Sequence, residues 1–190
     1  MKKKVFLIHE IYGVNTFIKK QAAAYSDSIT TVECISLYPN SLAFSYEQAN
    51  EAYDYFINNV GFEAPIKHLT KLLTEAIREY EEVVVIGFSV GATLAWKLST
   101  LPLYRVVCIY GSRIRQYVNI QPNCHTLVIL PSSEKSFDVN DMKQLLDHIP
   151  FVQIAQFPGE HGFMDSNNAN YNQTSSIHAQ SHILRFLQMH

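Results

Sequence analysis

Apolar residues fall into two patterns that alternate from one end of this chain to the other. Short, nearly continuous apolar or β-branched runs predict strands at Lys4–Ile8, Thr31–Ser36, Val83–Ile86, Arg105–Tyr110, Thr126–Leu130 and Phe151–Phe157. A run such as Val83-Val84-Val85-Ile86 shows no polar alternation, which suits a strand covered on both faces. Between the strands, apolar residues recur every three or four positions. Ile66, Leu69, Leu72, Leu73, Ala76, Ile77 and Tyr80 form one such series, and Val139, Met142, Leu145, Leu146 and Ile149 another. Both read as amphipathic helices with one face against a sheet. A last helix is expected from about Ser176 to Met189, after a polar loop containing Asn170, Asn172, Thr174 and Ser175.

Strand–helix alternation of this kind predicts an α/β fold: a mostly parallel sheet of about six strands, with helices on both faces. The chain has 190 residues, 47% of them hydrophobic, which suits one domain around a single substantial core. No linker or repeat divides it. The longest stretch without a strand, Pro39–Glu82, carries Phe44, Tyr46, Tyr53, Tyr55, Phe56 and Phe62. Those aromatics fit either a partial cap over a pocket or ordinary core-facing helix positions, and the second is favoured because large aromatics are mostly buried.

Charge narrows the partners. Fifteen basic and 17 acidic residues are spread along the chain, for a net charge of -2, so no nucleic-acid or anionic-membrane footprint is expected. Lys2-Lys3-Lys4 precedes only four apolar residues before His9 and Glu10, too few for a signal-peptide core, and no apolar run is long enough to span a membrane. Cys34, Cys108 and Cys124 have neither the number nor the spacing of a disulfide framework or zinc knuckle. A cytoplasmic protein is the simplest expectation.

The strongest chemical signal is Gly87-Phe88-Ser89-Val90-Gly91, a G-x-S-x-G between an apolar strand and the helical Ala92-Thr93-Leu94-Ala95-Trp96. Strand, sharp turn and helix in that order define a nucleophile elbow, which needs small residues where strand and helix backbones close on one another. A serine hydroxyl requires a base, and in α/β hydrolases the acid and then the histidine follow the nucleophile in the chain. His161, in Gly159-Glu160-His161-Gly162-Phe163 after the last strand, is the candidate base. His125 opens a strand at the wrong end of a parallel sheet. His178 and His182 lie on the terminal helix with no third metal ligand nearby, so no metal or other cofactor is expected.

For the acid, Glu134 and Asp138 both follow Thr126–Leu130. Glu134 is preferred because it is nearer the strand end, where it can accept from His161 Nδ1, whereas Asp138 suits the N-cap of the next helix. An oxyanion hole needs two backbone N–H groups, expected from Val90 and from Ile11 on the loop after the first strand. Glu10 beside Ile11 is unusual, because a carboxylate near a developing oxyanion is unhelpful unless turned away or paired. Tyr12, Phe88, Arg113 and Phe163 are the expected pocket residues.

These motifs resemble the dienelactone hydrolase family of small α/β hydrolases along nearly the whole chain. The resemblance rests on His9-Glu10-Ile11-Tyr12-Gly13-Val14-Asn15, on the Gly87–Gly91 elbow and on His161-Gly162-Phe163. It implies an α/β-hydrolase fold and a hydrolase of carboxylic esters, lactones or thioesters acting on a small molecule. It places the nucleophile, acid and base on Ser89, Glu134 and His161, with Glu10 as the loop glutamate that meets the resting nucleophile. Three departures stand out: serine replaces the common cysteine, Glu134 replaces the usual aspartate, and Asp165 stands where an arginine binds the substrate carboxylate. Outside that reading lie a non-catalytic small-molecule binder on the same fold and a hydrolase of another acyl bond, such as a peptide.

Overall fold

The computed structural model describes residues 2–188. Six strands form one wholly parallel sheet in the order β2-β1-β3-β4-β5-β6. They are β1 (Lys3–Ile8), β2 (Thr30–Ile35), β3 (Glu82–Phe88), β4 (Arg105–Ile109), β5 (His125–Pro131) and β6 (Val152–Phe157). Two boundaries differ from the sequence expectation for a backbone reason. Tyr110 and Phe151 adopt φ of 42° and 65°, left-handed values that an extended strand does not tolerate, so β4 stops before Tyr110 and β6 starts after Phe151.

The helices are α1 (Thr16–Tyr25), α2 (Ala49–Tyr55), α3 (Glu63–Glu79), α4 (Val90–Leu98), α5 (Val139–Leu146) and α6 (Gln173–Gln188). Met189, the expected end of the last helix, lies outside the described residues. Strand parity divides the core into two layers. Val83 and Val85 face α3, α4 and α5, whereas Val84, Ile86 and Phe88 face α1 and α6. Both faces of β3 are therefore covered, as its unbroken apolar run requires. Trp96 fills the first layer, fully buried, and its indole N–H donates to the Tyr117 carbonyl at 2.9 Å.

The segment 39–62 combines both readings of its aromatics. Phe56 is buried and packs with Tyr38 and Val90, while Tyr53 is 43% exposed and turns toward the carboxyl ends of the strands. Connectivity then fixes where a ligand can bind. The chain leaves β1 toward β2 and returns to β3 on the opposite side of β1, which opens a crevice beyond the carboxyl ends of β1 and β3.

Candidate active site

The elbow is built from backbone meeting backbone. A Cβ added at Gly87 would lie 2.0 Å from the Gly91 carbonyl oxygen, and one at Gly91 would lie 2.4 Å from the carbonyl oxygen of Ile8 and 2.6 Å from that of His9. Only glycine allows β3, α4 and β1 to approach so closely. Between the glycines, Ser89 adopts φ 53° and ψ −112°, a strained conformation for a residue with a side chain. Its amide donates to the Ile109 carbonyl at 2.9 Å, and its carbonyl accepts from the Thr93 amide at 3.2 Å. The turn is held from both sides and its hydroxyl projects into the crevice.

His161 reaches that hydroxyl from the loop after β6, with Nε2 2.9 Å from Ser89 Oγ. Its Nδ1 lies 2.7 Å from Glu134 Oε1, and the Glu134 side chain is only 4% exposed. The two loops carrying Glu134 and His161 are tied together: the Gly159 amide donates to Ser132 Oγ at 3.0 Å, and the Ser133 amide donates to the Gly159 carbonyl at 3.1 Å. Asp138, the other acid candidate, caps α5, accepting from the amides of Asn140 and Asp141 at 2.7 and 3.2 Å. Burial works to lower the His161 pKa, but the hydrogen bond and charge of Glu134, with the charge of Glu10, outweigh it and raise the pKa above the usual histidine value. A donor N–H at Nδ1 facing the carboxylate leaves Nε2 free to accept from the serine.

The loop after β1 forms the opposite wall. Buried His9 donates from Nδ1 to the Glu10 carbonyl and accepts the Leu37 amide on Nε2 at 2.9 Å. Burial pushes its pKa down to about 4, so it stays a neutral strut. Tyr38 donates its hydroxyl to the Ile11 carbonyl at 2.6 Å, which anchors the residue expected to supply one oxyanion amide. Val90 is the first residue of α4, so its N–H has no acceptor one turn earlier in the helix. Ile11 and Val90 line one cleft with Ser89, His161 and Glu134.

Glu10 is 4% exposed, and its carboxyl meets the buried Tyr110 hydroxyl. Burial raises its pKa from 4.5 to about 7, offset in part by His161 and reinforced by Asp165. A carboxyl whose pKa rises on folding is more easily ionised unfolded, so it destabilises the fold as pH climbs between about 4.5 and 7. His9 has the opposite slope, stabilising the fold as pH rises from about 4 to 6.5. Comparison of Glu10→Gln with the parent isolates the glutamate. The variant's relative stability is expected to increase by about 3 kcal/mol from acid to pH 7 and then level off, measured by urea unfolding across the range.

Asp165, at the position where the resemblance implies an arginine, is fully buried and carries no positive charge into the cleft. It accepts from the Tyr46 hydroxyl and from the Asn167 amide at 2.9 Å, while Tyr46 accepts from Asn15 Nδ2 at 3.0 Å. Tyr46 thereby pins the segment 39–62 to the histidine loop. Sequence reasoning missed this link, since nothing local marks a tyrosine as the partner of a carboxylate 119 residues away.

The cleft has a volume of about 400 Å³. Three expected pocket residues do not line it. Phe88 and Phe163 are fully buried, because strand parity turns Phe88 toward α1 and Phe163 packs on Tyr110, and Tyr12 instead stacks on Tyr46. Arg113 does line it, with Tyr53, Thr93, Arg115 and Lys135. A second depression of about 440 Å³, at the amino ends of the strands near Lys3, Tyr25 and Tyr104, is lined by no histidine or cysteine. Among the described residues no His, Cys, Asp and Glu cluster could hold a metal, and no helix is long and apolar enough to cross a membrane.

An elbow serine at the carboxyl edge of a wholly parallel sheet, facing a histidine from the loop after the last strand, defines an α/β hydrolase. The dienelactone hydrolase family model matches residues 1–190, and the chain belongs to that family. It is 34% identical over 176 residues to the uncharacterized protein YczH of Bacillus subtilis (strain 168), a match covering 90% of this chain and 85% of YczH. Among solved structures, a Klebsiella pneumoniae subsp. pneumoniae MGH 78578 protein assigned to the dienelactone hydrolases superposes with a TM-score of 0.80 at 18% identity, covering 98% of this chain and 87% of that one. The dienelactone hydrolase-like promiscuous phosphotriesterase P91, from metagenomic libraries, gives 0.77 at 17% identity over 98% and 85%. At those identities the likeness concerns the fold.

Proposed function

We propose that this protein hydrolyses carboxylic esters, lactones or thioesters of small molecules through a covalent acyl-serine. The observation that carries the reading is the continuous chain from Glu134 Oε1 to His161 Nδ1 at 2.7 Å and from His161 Nε2 to Ser89 Oγ at 2.9 Å. Ser89 Oγ attacks the carbonyl carbon while His161 Nε2 takes its proton. Glu134 stabilises the imidazolium and fixes its tautomer. The tetrahedral oxyanion is held by the amides of Val90 and Ile11, and it forms at the amino end of α4, where the helix dipole favours negative charge. His161 then protonates the departing alcohol or thiol. Water, deprotonated by the same nitrogen, releases the acid and regenerates Ser89.

Burial pushes the Glu10 pKa up to about 7, so near neutral pH it opposes the oxyanion less than an ordinary carboxylate would. Tyr53, Thr93 and the cationic side chains of the wall face the bound acyl compound.

The test is covalent labelling with a fluorophosphonate probe. The parent protein is expected to label stoichiometrically and to hydrolyse short p-nitrophenyl esters, and Ser89→Ala to do neither. A parent that neither labels nor turns over such esters, yet binds small molecules in the cleft, would make the chain a binding protein on a hydrolase fold.

A further inference from the structure

We propose that the acyl compounds cleaved at Ser89 carry a phosphate group, held by Arg113, Arg115 and Lys135 along the wall of the cleft. The inference rests on the hydrolase reading for its scissile bond but on separate residues for its anion site. The chain as a whole is slightly acidic, yet three cations line this one cleft. Its only acidic lining residue is Glu134, which is spent on His161. Among the described residues none of the three cations pairs with a carboxylate, whereas Lys3, Lys4 and Lys97 each do. Positive charge without a counter-charge, in a concave site with low-dielectric walls, draws an anion in.

Both guanidinium groups are already positioned. Arg113 donates from Nη2 to the Tyr53 hydroxyl at 2.6 Å and lies 5.8 Å from the Phe62 ring centroid. Arg115 donates from Nη1 to the Ser112 carbonyl and lies 5.2 Å from the Phe137 ring centroid. Each of these hydrogen bonds takes one of five guanidinium N–H donors, and the planar fork matches the oxygens of a tetrahedral anion. Ser112 and Ser136 add hydroxyl donors to the same wall. A phosphate monoester brings nearly two charges and three acceptor oxygens, while a carboxylate leaves most of this wall unanswered. At about 400 Å³ the cleft suits a small soluble phosphoester, not a long-chain lipid. The phosphate serves as a handle; the bond broken is the acyl C–O or C–S bond.

Calorimetry with inorganic phosphate on the Ser89→Ala protein tests the anion site without any need for turnover. Saturable binding is expected, weaker by about tenfold in Arg113→Gln and in Lys135→Gln, the latter an exposed position safe for folding, and far weaker for acetate. With intact Ser89, kcat/KM for 1-acetylglycerol 3-phosphate is expected to exceed that for 1-acetylglycerol by about tenfold or more, and the ratio to collapse in the Arg113→Gln, Lys135→Gln double variant. A ratio near unity in a protein that labels at Ser89 overturns the proposal and leaves the hydrolase reading standing. So does equal preference for monoethyl succinate, or binding to phosphatidate vesicles without binding to free phosphate. Phosphate binding without Ser89-dependent turnover sinks the hydrolase reading instead.

Discussion

His161→Ala is expected to lower kcat for a short activated ester by about ten-thousandfold, and adding Ser89→Ala to cost little more. The reason is geometric. Ser89 Oγ has one proton acceptor, His161 Nε2 at 2.9 Å, and without it the hydroxyl must ionise at its own high pKa. Once the base is gone the nucleophile contributes almost nothing, so the second substitution removes a group already idle. Residual activity in both variants is expected from the proposed oxyanion amides and substrate positioning, which neither substitution touches. Initial rates of the two single variants and the double variant, each checked for an unchanged melting temperature, decide the matter. Rate losses that multiply would mean that the two side chains act independently, which the hydrogen-bonded chain does not allow.

Gly91→Ala is expected to destabilise the domain by about 4 kcal/mol, a large share of the 5–15 kcal/mol that holds a domain folded. The added methyl would stand 2.4 Å from the Ile8 carbonyl oxygen and 2.6 Å from that of His9. These are backbone atoms of β1 and of the loop behind it, so no flexible side chain can swing away. Relief requires α4 to move off the sheet, which opens the first core layer around Trp96 and displaces the elbow itself. Gly61→Ala provides the contrast, because φ there is 63° but no atom lies within 4 Å of the added carbon. Its cost should be about 2 kcal/mol, from backbone conformation alone, because ψ there is −158°. Urea unfolding of both variants separates the two mechanisms. A Gly91→Ala midpoint as high as that of Gly61→Ala would show that β3, β1 and α4 are not locked together as described.

Much of the site is legible in local sequence because each part obeys a local rule. The elbow is written in five consecutive residues, since close approach of strand and helix backbones excludes a side chain at Gly87 and Gly91. Asp138 reads as a cap because its carboxylate serves amides only two and three residues on. Glu134 and His161 were reachable by chain order, which in a parallel sheet fixes which loops emerge at the same edge.

Of the expected pocket residues Arg113 lines the cleft, and the others do not, for the opposite reason. Nearness in sequence to Ser89 and His161 suggested Phe88 and Phe163, yet the side chain beside a projecting serine on a strand end turns to the other face, so Phe88 packs on Phe17 under the sheet. Tyr46 and Asp165 show no mutual signal along the chain, and their contact exists only because the segment 39–62 folds over the histidine loop.

The sequence by itself determined the strands, the two-sided helical cover, the elbow and the order of Ser89, Glu134 and His161 along the chain, because periodicity and chain direction act over a few residues at a time. Tertiary structure alone decided the distances that let Glu134, His161 and Ser89 share protons, the buried state of Glu10 and Asp165, and the cationic wall formed by Arg113, Arg115 and Lys135. Those properties depend on which loops meet at the sheet's carboxyl edge and on how much water packing excludes there, and no single segment carries that information.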